Sequence, residues 1–513
     1  MTNLILLKNV VILPELFLGL SIVYLLLYGS IVSTYKTYPL IQNLILKISV
    51  LILFFCIYLF YNDSFFFIHQ SFTFFNDTLI CDYLSIFSKL TIAGFSLACV
   101  LMIQYYLKDQ KINQFEYLIV ILIAILGFFL LCSSNDLITA YLAIELQSLA
   151  FYVMAAFKKN SSFSVEAGLK YFVLGSFSSA LLLFGFSILY GLLGTLNFED
   201  FKHLWYMQAP GNNFPVFAGN LDTSVFFDQT LLKLALVLVL VSLFFKLAVA
   251  PLHVWSPDVY ENSPSSSTIF FAVVSKLGVL VLIIRIFQHS FHGFIYTWNY
   301  YVVGLAVLSV IIGSFTAIEQ RKLKSLLAYS SVSHIGYILI SFSTGTLEGL
   351  QSLYAYIIIY MLAGLCIWSI FLMLRTKNFY SKKQNKDLTD FTLLVKSNNM
   401  IAICFAIVLL SVAGFPPLIG FITKMGIFMS AIESSMYFVA ILSILTSVIS
   451  TFYYIRIIKI LYFEKALVGN LFQPLLFLEP FVVVITFLLF IFLFINPTML
   501  YLVSYKISLL GFI

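Results

Sequence analysis

Three lysines, Lys246, Lys276 and Lys424, lie inside runs that are otherwise apolar: LVLVLVSLFFKLAVAP, FFAVVSKLGVLVLII and GFITKMGIF. A lysine at the centre of a membrane span costs roughly 2.5–3.5 kcal/mol to insert. Three of them are hard to explain as accidents. An ammonium group can give up and regain a proton, and burial strongly tunes its affinity for one. The three are therefore candidate proton carriers. Glu145, in LITAYLAIELQSLAFYV, is a carboxylate in a similar setting, and Tyr141, Glu145, Ser148 and Tyr152 recur at helical spacing on one face. Glu145 is either a structural carboxylate tied to a neighbouring helix or one member of a buried ion pair.

Prolines sit close to two of the lysines. Pro251 follows Lys246 by little more than a helical turn and has no N–H for the carbonyl of Leu247, so the helix must break or bend. In hydrocarbon a freed carbonyl is tolerated only under cover of protein or a water-filled cavity. Gly414, Pro416 and Pro417 interrupt a second run, with Lys424 about two turns later. His253 follows Pro251 by two residues, and His334 stands among Ser330, Ser331 and Ser333 in AYSSVSHIGY. Either histidine could relay protons, because imidazole titrates near neutral pH. Each could equally be a hydrogen-bonded packing residue. Asp258 and Glu261, in SPDVYENSP, read as groups that cap or orient a helix end. Lys233 is placed to snorkel towards a membrane surface, while Lys170 and Arg285 are open to either reading.

The elements that carry these residues follow from composition. The chain has 513 residues, 62% hydrophobic and 10% charged, with a mean hydropathy of +1.04. A soluble chain would carry about 25% charged residues. The composition implies an all-α, polytopic transmembrane helix bundle. Fourteen apolar segments can be drawn, at residues 14–32, 44–60, 83–107, 115–132, 137–157, 167–194, 231–260 (broken), 268–288, 302–317, 323–342, 350–374, 400–429 (broken), 437–461 and 480–505. The connections after segments 1, 3, 5, 9, 11 and 13 hold most of the basic residues, and the others are nearly free of Lys and Arg; Lys202 is an exception. The positive-inside rule places the basic loops in the cytoplasm or matrix and both termini opposite. The N-terminal stretch MTNLILLKNVVILPELFLGL has no cleavage signature and reads as the start of a first span.

One broken helix in each half predicts inverted repeats. The expected units are residues 1–110 (three leading helices), 111–290 (first repeat, helices 4–8), 291–465 (second repeat, helices 9–13) and 466–513 (a last helix). The six cysteines are scattered singly, which argues against zinc or iron–sulfur spacing. No Rossmann or P-loop glycine pattern stands between a strand and a helix. The chain is expected to bind no nucleotide, nucleic acid or metal and to hold no redox centre.

At these residues the chain resembles the subunit 2/subunit N family of respiratory NADH dehydrogenase (complex I). The matching stretches are AIELQSLAFYV, EAGLKYFVLGSFSSALLLFGFSILYG, FKLAVAPLHVWSPDVYENSP, KLKSLLAYSSVSHIGYILI, AGFPPLIGFITKMGIF and TSVISTFYYIRIIKI, within residues 135–459. PLHVW stands where that family often has PFHxW, and YENSPSSS where YEGSPTP is usual. The resemblance implies an antiporter-like, proton-pumping subunit of fourteen helices. It assigns a charge pair to Glu145 and Lys246, a central relay to Lys276 and an exit-side residue to Lys424. It implies that flavin, iron–sulfur clusters and ubiquinone belong to other subunits. Partners would be the other membrane-arm subunits, including the other antiporter-like ones, and membrane lipids. The three leading spans are kept, and AIELQSL and SHIGY resemble mitochondrial versions from plants and protists, which points to the mitochondrial inner membrane. A free-standing cation/proton antiporter subunit of the same fold is the alternative, and a structural subunit with degenerate charges is a third reading that the four filled positions disfavour.

Overall fold

The computed structural model describes residues 12–33, 38–66, 71–110, 112, 114–207, 229–374, 387–392, 394–464 and 478–512. Residues 208–228 of the long acidic loop and Arg375, Lys377, Lys382, Lys383 and Lys386 of the most basic one lie outside them, as do Lys36, Lys111 and Lys465.

In lipid every backbone N–H and C=O must be paired within the protein, and apolar segments meet that demand as helices. The chain opens with α1 (Leu13–Ser33), α2 (Tyr38–Phe66), a hairpin of β1 (Phe72–Phe74) and β2 (Leu79–Cys81), and α3 (Tyr83–Asp109). Asp82 caps α3: its carboxylate accepts from the Ser85 amide at 2.8 Å, and the Ser85 hydroxyl accepts from the Asp82 amide at 3.0 Å. That reciprocal box leaves fewer unpaired donors at the helix start. Next come α4 (Glu116–Ser133), α5 (Leu137–Ala156), α6 (Ser162–Leu193), the short α7 (Phe198–Met207) and α8 (Gln229–Leu247). After the first break follow α9 (Trp255–Asn262), α10 (Ser265–Val273) and α11 (Ser275–Ile283), which runs into a π-helical turn at Ile284–Ser290. The rest of the chain forms α12 (Ile295–Glu319), α13 (Leu323–Ser343), α14 (Leu347–Met373), α15 (Asn399–Ala413), α16 (Ile419–Glu433), α17 (Tyr437–Tyr462), α18 (Leu478–Ile495) and α19 (Thr498–Phe512).

Among the described residues, twelve helical stretches are long and apolar enough to cross a membrane, or thirteen if the bent pair at the C-terminus counts as one span. The remaining expected segment is the one split into α15 and α16, whose halves are each too short to qualify. The protein is thus a multi-pass membrane protein. One expectation needs correction. The last segment is not one straight helix: α18 and α19 meet at 86° around Asn496 and Pro497, where proline cannot continue the hydrogen-bond ladder. The stretch with Lys276 is one continuous span, Ser265–Ser290, as expected: Val274 keeps helical backbone angles with its amide on the Phe270 carbonyl, and the Ser275 hydroxyl donates to the Phe271 carbonyl at 2.5 Å.

The helices differ in what surrounds them. In the stretch Ser265–Ser290 and in α13, 94% of the span is buried within the protein, and in α14 83%, against 22% in α1. The elements carrying Lys276 and His334 are therefore shielded from lipid by their neighbours. The leading unit is tied to the rest by α1 packing on α4 and by α3 packing on α4, α10, α11 and α14.

Candidate functional site

At the first break α8 stops at Leu247, and Ala248 turns to φ 62°. The amide of Ala248 donates to the Phe245 carbonyl and that of Val249 to the Phe244 carbonyl, both at 3.0 Å. The Trp255 indole N–H also donates to the Phe245 carbonyl, at 2.9 Å. The end of the helix is thus closed by the chain beyond the break. Lys246 lies in its last turn, where the negative end of the helix dipole favours a cation. Its Nζ donates to the Tyr152 hydroxyl at 3.3 Å and lies 5.7 Å from the centre of that ring.

Glu145 does not form an ion pair with Lys246. The connection runs along the polar face of α5. The Ser148 hydroxyl lies 3.5 Å from Glu145 Oε2 and within hydrogen-bonding reach of Tyr152, whose hydroxyl meets Lys246. Glu145 Oε1 is buried without a partner, so the carboxylate has acceptor capacity unused in this state.

Lys276 and Lys424 sit deeper, each 3% exposed. Lys276 Nζ donates to the Tyr360 hydroxyl of α14 at 3.0 Å. The Tyr360 ring lies 5.2 Å from that of His334 on α13. Both nitrogens of His334 are engaged, Nδ1 with the Tyr356 hydroxyl at 2.6 Å and Nε2 with the Tyr454 hydroxyl at 3.0 Å. Beside them is a cavity of about 20 Å³ lined by His334, Tyr356, Tyr360, Ser411, Gly420 and Lys424. A water needs roughly 10–15 Å³ measured this way, so the space suits one. Lys424 closes the far side. Its Nζ donates to the Ala413 carbonyl at 3.0 Å, the last residue of α15 before the second break, and lies 5.5 Å from the centre of the Tyr337 ring. Gly414, at φ 93°, ends α15 with its amide on the Leu410 and Ser411 carbonyls.

The remaining candidates fall outside this series. His253 lies in the first break with its ring 6.0 Å from Tyr329 and its Nδ1 buried without a partner. Asp258 pairs with Lys170 at 3.1 Å, and Lys170 also with Glu166 at 2.9 Å, all well exposed. Glu261 pairs with Lys322, while Lys233 is exposed. Arg285 is buried: its Nη2 meets Asp82 Oδ1 at 2.7 Å and its Nε donates to the Cys132 carbonyl at 3.2 Å. Burial alone would raise the Asp82 carboxyl, but the Arg285 guanidinium and the Ser85 amide outweigh it and hold it below the usual carboxylate range. Sequence reasoning missed the tyrosines Tyr360, Tyr356 and Tyr454, and also a buried ion pair between Glu15 and Lys89 at 2.5 Å. Among the described residues no cluster of three His, Cys, Asp or Glu side chains is placed to hold a metal ion.

Comparison with known proteins supplies the context. The family described as NADH:quinone oxidoreductase/Mrp antiporter, transmembrane, matches residues 134–450. NADH-ubiquinone oxidoreductase chain 2 of Marchantia polymorpha is 38% identical over 97% of this chain and 97% of its own length. NADH-quinone oxidoreductase subunit N of Pelagibacter ubique is 40% identical over 88% of this chain and 89% of its own. A chain of respiratory complex I from Thermus thermophilus, solved with bound aureothin, superposes with a TM-score of 0.75 at 26% identity, covering 95% of this chain and 98% of that one.

Proposed function

The chain belongs to the NADH:quinone oxidoreductase/Mrp antiporter transmembrane family, and from that premise we propose that it is a proton-translocating membrane-arm subunit of an NADH:ubiquinone oxidoreductase. In this reading other subunits oxidise NADH and reduce the quinone, and they hold the flavin and iron–sulfur clusters. This chain moves protons through buried Glu and Lys residues alongside the other antiporter-like subunits. The observation that carries the reading is the series of buried polar groups between two lysines: Lys276 bonds the Tyr360 hydroxyl, the Tyr360 ring lies 5.2 Å from that of His334, and a small cavity separates them from Lys424. A tyrosine hydroxyl both gives and accepts a hydrogen bond, and neutral imidazole carries one donor and one acceptor nitrogen. Such groups pass protons in either direction without a permanent charge.

Glu145 and Lys246 form the first station, linked through Ser148 and Tyr152. Lys276 is the central station and Lys424 the exit-side one. His334 relays between those two, and His253 stands beside the first break as a side relay. The leading helices of residues 1–110, the halves 111–290 and 291–465, and the closing segment 466–513 remain the functional units, with one broken helix in each half. The mitochondrial inner membrane is the site of action, a reading supported by the near full-length match to a plant chain and by the mitochondrial character of AIELQSL and SHIGY.

The test is purification of the tagged chain under mild detergent. It should emerge with a peripheral arm carrying flavin and iron–sulfur clusters. Recovery in a cation/proton antiport complex without redox cofactors would replace this reading with the free-standing antiporter.

A further inference from the structure

The leading helices contain a charged cluster that the lysine series does not use. Glu15 in the first turn of α1, Asp63 near the end of α2 and Lys89 in the second turn of α3 lie near the helix ends next to the β1–β2 hairpin, with Lys89 paired to Glu15 and both charges acting on Asp63. All three are buried, at 8%, 5% and 3% exposed. Lys89 Nζ meets Glu15 Oε1 at 2.5 Å, and Glu15 Oε2 is buried with no partner. The charges acting on Asp63 are those of Glu15 and Lys89.

The surroundings offer little to a second negative charge. Cys56 of α2, Cys81 of β2 and Cys132 of α4 lie within electrostatic range of the cluster, and Asp82 is already held by Arg285. The Phe60 ring centre is 5.9 Å from Lys89 Nζ. Phe74, Cys81 and Ile86 form a separate apolar cap over the hairpin. One ammonium can balance one carboxylate here. Two ionised carboxylates around it would leave a net buried charge, which low-dielectric surroundings penalise heavily, and like charges at one site force one carboxyl to keep its proton.

We propose that Glu15, Asp63 and Lys89 form a proton-holding site in which one carboxyl of the two is protonated beside the ammonium. The site is separate from the Lys246–Lys276–Lys424 series. Its unpartnered oxygen, Glu15 Oε2, is where the proton can be held.

The assembled complex, not turning over, is treated with N,N′-dicyclohexylcarbodiimide, which adds to protonated carboxyls in apolar surroundings, and peptide mass spectrometry locates the adduct. The expected result at neutral pH is one adduct per chain, on Glu15, on Asp63 or distributed between them, with labelling lost as the pH is raised. Asp63→Asn should abolish labelling of Glu15, which then faces Lys89 alone as an ionised pair. Lys89→Met, which removes the ammonium, should label both carboxyls and shows that the reagent reaches them. An unlabelled wild type overturns the proposal, as does adduct on both carboxyls of one wild-type molecule or labelling of Glu15 that survives Asp63→Asn. If Asp63→Asn fails to assemble, the wild-type labelling still decides whether the proton is held. No pumping is measured, so this result is independent of the reading of the lysine series.

Discussion

A tyrosine meets each of the three lysines in the series: Tyr152 at Lys246, Tyr360 at Lys276, and the Tyr337 ring at Lys424. A hydroxyl accepts from an ammonium and donates to a neutral amine, so it can stay bonded in both protonation states. A carboxylate pair, by contrast, would hold the lysine charged. Tyr152→Phe removes a hydrogen bond to a charged group, worth about 1.5–3 kcal/mol, or roughly a tenfold or larger change in how Lys246 is held. We expect it to lower proton flux in reconstituted vesicles by about that factor at unchanged assembly. Glu145→Gln and Lys246→Ala should each impair pumping, with the double variant no worse than the poorer single one, as groups acting as a unit are not additive. Strictly additive losses would show two independent charges. At this scale the sequence was legible where a residue contradicts its surroundings. A lysine in an apolar run stands out, whereas Tyr360 is one of 31 tyrosines in a chain with 55 phenylalanines, and nothing local distinguishes its hydroxyl. Glu15 and Lys89 are 74 positions apart, so their contact leaves no spacing to read.

The broken helices explain why the proline-to-lysine spacing differs between the halves. Lys246 occupies the last turn of α8, ahead of its break. Lys424 lies beyond its break, in the second turn of α16, yet its ammonium reaches back to the Ala413 carbonyl at the end of α15. Both cations thus sit at the negative end of a helix dipole, one along its own helix and the other across the gap. The breaks were foreseeable from Pro251, Pro416 and Pro417, none of which can continue a helix's hydrogen-bond ladder. Contacts between helices can be tested in the same way. A Cβ at Gly175 of α6 would fall on the Tyr152 hydroxyl, so Gly175→Ala should displace that ring and reduce pumping as Tyr152→Phe does, while Gly191→Ala, with open space around it, should leave pumping intact. Equal behaviour of the two glycine variants would refute the placement of Tyr152. Asp82→Asn strands the buried Arg285 charge, and breaking a buried pair costs about 3–5 kcal/mol; the yield of assembled complex should fall, and Asp82→Asn combined with Arg285→Gln should recover part of it.

Over the full length of the chain, the charge pattern sets orientation. The loop at residues 375–396 should face the matrix and that at 197–228 the intermembrane space. Protease treatment of mitoplasts and of inverted vesicles distinguishes them, and cleavage of both loops from one side would rule out the alternating fourteen-segment topology. The span count was largely legible because hydropathy alone determines it; the 86° turn between α18 and α19 was not, since the apolar pattern continues past Asn496 and Pro497. Taken together, the buried groups make one claim, that protons cross this chain by way of Lys276. The most direct measurement is proton flux per NADH oxidised in vesicles reconstituted with Lys276→Ala complex, at matched assembly. The expected result is a clear loss of protons moved per electron with the complex still assembled, because the Tyr360 hydroxyl then has no carrier to exchange with. A wild-type ratio in the assembled variant would contradict it.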